Sequence, residues 1–263
     1  MQFHASITLD AFEQGIGAVL RAGFRPEIRM ADVEHMRRLD ADSLSRLRAL
    51  LDERRTGTFT HGPYLGLDIA SLNDHIAGYS AECLDRGLAA TAALGGSVMV
   101  VHTNYSPFFS RAGLREWMRN WGERMPPLVE AAGALGVRIA FENVWERTPE
   151  ELERLLDVLP RERAFVCIDT GHISAFSRLP VERWWRRLGE RVVALHLHDN
   201  DGLSDDHMPP GSGIFDFPAL ASLLAGSAQA PLMTLEVDIA RAPAGRAYLE
   251  SVGLTPGGGG EAG

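Results

Sequence analysis

The chain has 263 residues, a formal net charge of −9 at pH 7 and an apolar fraction of 45%, which is enough to fill one sizeable core. All 26 basic residues are arginine, so the sequence excludes a Schiff-base aldolase, a pyridoxal-phosphate enzyme and a P-loop nucleotide-binding protein, each of which needs a lysine. The acidic balance gives no general attraction to nucleic acid or anionic membranes, and Cys83 and Cys167 form no CxxC pattern.

Neither a targeting segment nor a membrane span is expected from the sequence. The N-terminal segment lacks a basic region followed by an apolar one, and no apolar run reaches the length of a bilayer-spanning helix. The predicted location is therefore the cytoplasm.

Short apolar segments alternate with longer amphipathic ones along the chain. The strand-like segments are 4–9, 26–30, 57–62, 97–102, 137–143, 164–169, 192–198 and 232–238, and the helix-like ones are 10–22, 41–55, 75–94, 112–135, 148–158, 181–189, 216–226 and 243–252. Strict alternation predicts parallel strands joined by crossover helices, and eight such units predict an α/β fold, a single (β/α)8 TIM barrel over residues 1–254. An open doubly wound sheet is the rival, but no GxGxxG follows the first strand. Residues 255–263 predict a flexible glycine-rich tail.

Ionisable side chains recur at the same end of six consecutive predicted strands. In chain order they are His61, His102, Glu142, Asp169 followed by His172, His196, then Asp205 and His207 in the next loop, and Glu236. Charged groups inside a barrel are costly unless they are paired or bind a metal, and nitrogen and oxygen donors of this kind suit a divalent ion. The pattern predicts a metal site at the carboxyl ends of the strands.

Seven short motifs carry a resemblance to a known family. They are THGPY at 60–64, VVHTNYS at 100–106, FENV at 141–144, CIDTGH at 167–172, HLHDND at 196–201, DDHMPPGSG at 205–213 and LEVD at 235–238. In this order and at these strands they resemble the xylose-isomerase-like TIM-barrel superfamily, which includes sugar and sugar-phosphate isomerases and epimerases and the apurinic endonuclease IV branch. Each motif alone is weak, whereas the ordered set covers nearly the whole chain.

The resemblance implies a set of metal ligands. In the epimerase branch one divalent ion is held by residues that correspond here to Glu142, Asp169, His196 and Glu236, and His198 is the rival for the ligand on the seventh strand. The endonuclease branch holds three zinc ions, and its further ligands correspond to His61, His102, His172, Asp205 and His207. The implied cofactor is Mn²⁺, Zn²⁺, Co²⁺ or Mg²⁺, with one central ion expected and up to three allowed.

Two activities are compatible with these residues. The first is a metal-dependent isomerase or epimerase of a small sugar or sugar-like polyhydroxy carbonyl compound, in which Glu142 and Glu236 transfer a proton next to the carbonyl. The second is an endonuclease IV-like multi-zinc phosphodiesterase, which the complete ligand set and the Tyr64-Leu65 pair favour and the acidic charge disfavours.

We expect the first activity, in carbohydrate metabolism, with a small molecule as the substrate and nucleic acid kept as the alternative partner. A homo-oligomeric state is allowed by the sequence, and no membrane partner is expected. The weaker candidates for substrate contacts are Tyr64, Asn104, Asn143 and Trp145.

Overall fold

The computed structural model describes residues 2–31, 33–34, 39–177 and 179–257. Within these ranges, parallel strands close into a barrel in chain order. The strands are β1 (His4–Thr8), β2 (Arg25–Arg29), β3 (Phe59–His61), β4 (Val98–His102), β5 (Arg138–Glu142), β6 (Ala164–Asp169), β7 (Val192–Leu197) and β8 (Leu232–Leu235). The predicted (β/α)8 barrel is confirmed. The end of the predicted tail, 258–263, lies outside the described residues.

Helices connect the strands on the outside of the barrel. They are α1 (Phe12–Arg21), α2 (Ala41–Glu53), α3 (Asp74–Ala93), α4 (Arg111–Ala134), α5 (Pro149–Leu156), the short α6 (Thr170–His172), α7 (Val181–Leu188), α8 (Phe217–Ala225) and α9 (Ala242–Ser251). The predicted helices differ from these by two residues or fewer at either end, but α6 and the π-helical turn Ile173–Ser177 after it were not predicted. None of the described helices combines the length and apolar composition that a bilayer crossing requires.

The packing of α4 against the barrel orients the end of β5. Trp121 on α4 is fully buried, and its ring meets that of Phe141 edge-on with centroids 5.6 Å apart. Because side chains alternate along a strand, Phe141 on the helix-facing side leaves Glu142 on the barrel interior. The packing of Phe141 against α4 thus directs the neighbouring Glu142 side chain into the barrel.

The strand register brings the ends of neighbouring strands to one level. His102 pairs with Glu142 between β4 and β5, and Asp169 pairs with His196 between β6 and β7. Arg29 pairs in the same way with His61 between β2 and β3. Residues far apart in sequence therefore share one layer at the carboxyl rim of the barrel.

Candidate metal centre

The predicted ligands converge on one cavity at the carboxyl end of the barrel. The cavity has a volume of about 370 Å³, and its walls include His61, His102, Glu142, His172, Asp205, His207 and Glu236. Asp169 and His196 are 0% exposed and contact several of these side chains from within the barrel. All nine residues that the sequence singled out as ligands are thus brought together.

His196 is surrounded by three carboxylates. Its Nδ1 atom lies 3.4 Å from Oε1 of Glu142, 3.6 Å from Oε1 of Glu236 and 3.9 Å from Oδ2 of Asp169. That nitrogen is buried and has no hydrogen-bond partner among the described residues. A buried, unpaired nitrogen facing three carboxylates is a costly arrangement unless a cation binds between them, so this donor set fits a divalent ion. We call these four residues the central group.

Glu27, which was not predicted as a site residue, supports the central group from below. Its Oε1 lies 3.1 Å from Nε2 of His196, and both side chains are 0% exposed. The carboxylate accepts a hydrogen bond from the Nε2–H group and so leaves the Nδ1 lone pair directed at the other carboxylates. The sequence offered only a weak sign that Glu27 belongs to the site, a single acid in the apolar segment PEIRM.

A second set of donors lies beside the central group and shares Glu142 with it. Nε2 of His61 lies 3.1 Å from Nε2 of His102 and 3.1 Å from Oε2 of Glu142, and the His102–Glu142 separation is 3.3 Å. Nδ1 of His61 donates to the carbonyl oxygen of Gly62 at 2.9 Å, since a carbonyl can only accept. The Nε2 lone pair of His61 is therefore free to bind a metal. We call His61, His102 and Glu142 the β3–β5 group.

The third set consists of His172, Asp205 and His207, which we call the β6–β7 group. Nε2 of each histidine lies 3.3 Å from Oδ2 of Asp205. The other ring nitrogens donate to backbone carbonyls, His172 to that of Asn143 at 2.9 Å and His207 to that of Glu236 at 2.7 Å. Both Nε2 lone pairs therefore point at the same carboxylate, as in histidines oriented to bind a metal.

The donor spacing suits zinc or a similar ion in each set. With metal–donor bonds of about 2.0–2.1 Å, the donors of a tetrahedral zinc site stand about 3.3–3.4 Å apart. The donor separations are 3.1–3.3 Å in the β3–β5 group, and 3.3 Å in the β6–β7 group. The central group is slightly wider, with separations of 3.4–3.9 Å between Nδ1 of His196 and the three carboxylates.

Charges in the centre shift one another's pKa values. Burial by itself lowers the pKa of His196 and His172, but neighbouring carboxylates outweigh it and raise both pKa values well above the ordinary histidine value. The pKa of Glu142 is held well below its usual range against the effect of burial, chiefly by His196 and His102. The pKa of His207 is raised to about 9, because its bond to Asp205 outweighs burial. A metal would compete with these protons for the ring nitrogens.

His198, left open as the rival ligand on β7, is fully buried and belongs to the β6–β7 side of the centre. Its Nε2 lies 3.0 Å from Oδ2 of Asp169, and its ring stacks on that of His207 with centroids 4.0 Å apart. The ring also packs against Gly171, where any Cβ would overlap it. This contact gives the glycine of the CIDTGH motif a steric role.

The loop after β7 is held in place by Asp199. Its carboxylate accepts hydrogen bonds from the backbone N–H groups of Asn200, Gly211, Gly213 and Phe215 at 2.8–3.1 Å. Gly211 has a φ of +85°, in the left-handed region that glycine adopts without strain. The PPGSG segment therefore folds back onto Asp199 and presents Asp205 and His207 to the cavity.

The predicted substrate contacts divide into two cases. Tyr64, Asn104 and Trp145 line the cavity, and Trp145 packs against Phe176 with ring centroids 4.4 Å apart. Asn143 is 1% exposed and does not line the cavity. Its amide instead donates to the backbone oxygen of Asp169 and accepts from its N–H, so it joins β5 to β6 rather than facing a substrate.

A comparison with known protein families assigns the chain to one of them. A family model described as "xylose isomerase-like TIM barrel" matches residues 10–255, and the chain belongs to this family. An uncharacterized protein of Methanocaldococcus jannaschii is 26% identical over 187 residues, which are 68% of this chain and 64% of that protein. The chain therefore spans a little under two thirds of the length of this curated relative.

Solved structures share the same fold over almost their whole length. A D-tagatose 3-epimerase-like protein has a TM-score of 0.83 at 22% identity, with 96% of this chain and 97% of that one covered. A Thermus thermophilus protein soaked with ZnCl2 has a TM-score of 0.81 at 26% identity, with coverages of 96% and 98%. An L-ribulose 3-epimerase has a TM-score of 0.75 at 18% identity, with coverages of 96% and 94%. The chain thus has the fold of the sugar epimerases.

Proposed function

We propose that this protein is a divalent-metal-dependent isomerase or epimerase of a small sugar or sugar-like polyhydroxy carbonyl compound. The observation that carries the proposal is the central group, in which an unpaired His196 nitrogen faces Glu142, Asp169 and Glu236 at one cavity. A cavity of about 370 Å³ falls in the range of about 300–1,000 Å³ that is usual for small-molecule sites.

Glu142, Asp169, His196 and Glu236 would hold the ion. When bound there, a divalent ion supplies Lewis-acid polarisation of the substrate oxygens and so acidifies the neighbouring C–H group. The protein's own contribution is proton transfer and positioning, and the two glutamates that line the cavity are the candidates for the first of these.

Glu142 and Glu236 reach the cavity from different sides of the barrel, at the end of β5 and just after β8. The pKa of Glu142 is held far below neutrality against the effect of burial, so its carboxylate is ionised and able to accept a proton at physiological pH. Removal of a proton by one carboxylate and return by the other, on the opposite face of the same carbon, would invert that centre. Return to the neighbouring carbon, together with movement of the hydroxyl proton to the former carbonyl oxygen, would give an isomer instead.

The aromatic wall suits a polyhydroxy compound. Tyr64, Trp145 and Phe176 line the cavity beside the polar groups, and Trp145 remains 46% exposed. Flat aromatic faces pack against the C–H face of a sugar while the hydroxyl groups meet polar side chains. The match of the chain along nearly the full length of an epimerase-like structure further supports an enzyme of this kind.

A multi-metal phosphodiesterase is the second candidate, favoured by one specific observation. The β3–β5 and β6–β7 groups both have donor spacings that suit a metal, in addition to the central group. A bound hydroxide activated by several zinc ions is suited to phosphodiester cleavage. The net charge of −9 makes nucleic acid the less favourable substrate.

The deciding experiment follows exchange of substrate C–H protons with solvent deuterium by NMR, using the Mn²⁺-loaded protein and a panel of ketoses and ketose phosphates. We expect exchange next to the carbonyl for at least one compound, a loss of about 10²-fold or more in Glu236→Gln, and no loss in the exposed control Glu116→Gln. Cleavage of abasic DNA without exchange on any compound would instead establish the phosphodiesterase.

A further inference from the structure

A second cavity adjoins the metal centre on the side of β1 and β2. Its volume is about 460 Å³, and it shares Arg29, His207 and Glu236 with the cavity of the metal centre. The remaining wall is largely apolar, formed by Ile7 on β1, residues of α1, and Val237 and Ile239 after β8. A ligand that binds at the metal centre can therefore extend past Arg29 into this second cavity.

Arg29 is placed at the junction by the strand pattern. It lies two residues after Glu27, whose side chain points into the barrel, so Arg29 points to the same side one layer nearer the rim. The register sets it level with His61 on one side and with Thr8 on the other. Burial raises the pKa of Tyr64, and the nearby positive charge of Arg29 partly opposes that rise. Arg29 lines the same cavity as Tyr64, the ring that packs against His61 and His102.

Two hydrogen-bond donors at this junction lack partners. Nε of Arg29 and Oγ of Ser6 are buried atoms without a hydrogen-bond partner among the described residues. Both residues line the second cavity, and so does Thr8, the neighbour of Arg29 across the β1–β2 pair. Buried donors that are left unpaired are costly, and they indicate a binding partner that accepts hydrogen bonds.

The positive charge of Arg29 indicates that the hydrogen-bond acceptor it binds is an anion. The other formally charged side chains around the two cavities, histidines aside, are carboxylates: Glu142, Asp205, Glu236 and Asp238. A permanently charged guanidinium with a planar set of donors is suited to bind the oxygens of a carboxylate or a phosphoryl group in pairs.

We propose that the substrate carries an anionic group, a carboxylate or a phosphoryl, that binds Arg29 together with the hydroxyls of Ser6 and Thr8 while its reacting carbons lie at the metal centre. This assignment rests on the proposed function, because it names the class of substrate that the same site accepts. Arg29 is a binding residue in this scheme and takes no part in proton transfer.

The test measures binding by titration calorimetry with the Mn²⁺-loaded protein and three ligands: D-fructose, D-fructose 6-phosphate and 5-keto-D-gluconate. We expect at least one anionic ligand to bind about 10- to 100-fold more tightly than D-fructose. The exposed control Arg147→Gln should keep this ratio, Arg29→Gln should reduce it to near one, and Arg29→Lys should keep part of it. Whichever of the two anionic ligands binds more tightly shows whether the anionic group of the substrate is a phosphoryl or a carboxylate.

The proposal is overturned if neither anion is preferred, if none of the ligands binds, or if Arg29→Gln retains the wild-type ratio, as it would for an anion bound only to the metal. An equal loss of neutral and anionic binding in Arg29→Gln, with Arg29→Lys no better, also overturns it, because the effect would then be structural. Binding and proton exchange are separate readouts. If the preference for an anionic ligand depends on Arg29 but no substrate C–H proton exchanges, only the proposed reaction is ruled out. If protons exchange but the preference for an anionic ligand does not depend on Arg29, only this inference is ruled out.

Discussion

The Nε2 atom of His196 lies 3.1 Å from Oε1 of Glu27, in a part of the barrel that is closed to solvent. Glu27 thereby decides which nitrogen of His196 faces the three carboxylates of the central group. Groups that orient a metal-binding histidine in this way commonly contribute about 10- to 100-fold to metal affinity.

Replacement of Glu27 should therefore weaken metal binding although no residue of the central group is changed. Glu27→Gln keeps the volume of the side chain but removes its charge, so that His196 is less firmly oriented. We expect zinc affinity, measured by competition with a chelator, to fall by about 10- to 100-fold. The exposed Glu13→Gln on α1 is the matched control. Equal affinities for Glu27→Gln and the wild type would show that His196 is oriented by other means.

Glu142 should matter more for metal content than His207. Its Oε1 faces His196 and its Oε2 faces His61 and His102, whereas His207 belongs only to the β6–β7 group. After exhaustive dialysis, elemental analysis should find less metal in Glu142→Gln than in His207→Ala, which should keep its central ion. Asp201→Asn, an exposed acid in the same loop as Asp205, is the control for lost charge. A full metal complement in Glu142→Gln would remove this residue from the centre.

Glu146 should make the stability of the protein depend on pH. It is 1% exposed, and burial raises its pKa from 4.5 to about 7 despite hydrogen bonds from the Thr103 hydroxyl and the Val144 N–H group. Because the folded state holds this proton more tightly, its stabilising effect is complete below pH 4.5 and is lost as the pH rises through 7. The expected loss is up to about 3 kcal/mol.

Glu146→Gln cannot ionise, so its free energy of unfolding should change less between pH 5 and pH 8 than that of the wild type. Urea denaturation at each pH measures the difference between the two proteins, in which the titration of the shared histidines cancels. Curves that stay parallel over this range would show that Glu146 is ionised in the folded state.

Gly171 should resist substitution for a steric reason. A Cβ at this position would overlap the ring of His198, which is fixed between Asp169 and His207. We expect Gly171→Ala to lower the free energy of unfolding by about 1–3 kcal/mol. Gly78→Ala on α3, where a Cβ meets nothing within 4 Å, should instead raise it by about 0.5–1 kcal/mol. Denaturation midpoints that move in the same direction for both variants would contradict this account.

The sequence predicted the barrel and the convergence of its candidate ligands because both depend on periodic features. Parallel strands in a closed barrel all end on one face, so a polar group such as Glu142 or Asp169 at a strand end is placed by counting residues. The start of α5 has a similarly local cause, a capping box in which Glu151 accepts from the N–H of Thr148 at 3.2 Å.

The residues that sequence reasoning missed depend on pairing across strands instead. Glu27 and Arg29 lie in a segment of five residues that reads as one more apolar strand, and their importance appears only when β2 is paired with β3 and set opposite β7. His198 was predicted only as the rival ligand on the seventh strand. It lies just after the end of β7 at Leu197, and its ring, stacked on that of His207, is fully buried. Asn143 follows the candidate ligand Glu142 in sequence and was predicted to contact substrate, but its amide is hydrogen-bonded to the backbone of the next strand.

The anchoring of the loop after β7 by Asp199 has a kinetic consequence. Four backbone N–H groups of this loop already bind one buried carboxylate, so Asp205 and His207 are held in position before any ligand arrives. A loop with little conformational freedom left to lose opposes binding only weakly. Contacts made by these two residues should therefore appear mainly as slow dissociation of the bound ion or substrate, with an association rate that no loop closure limits.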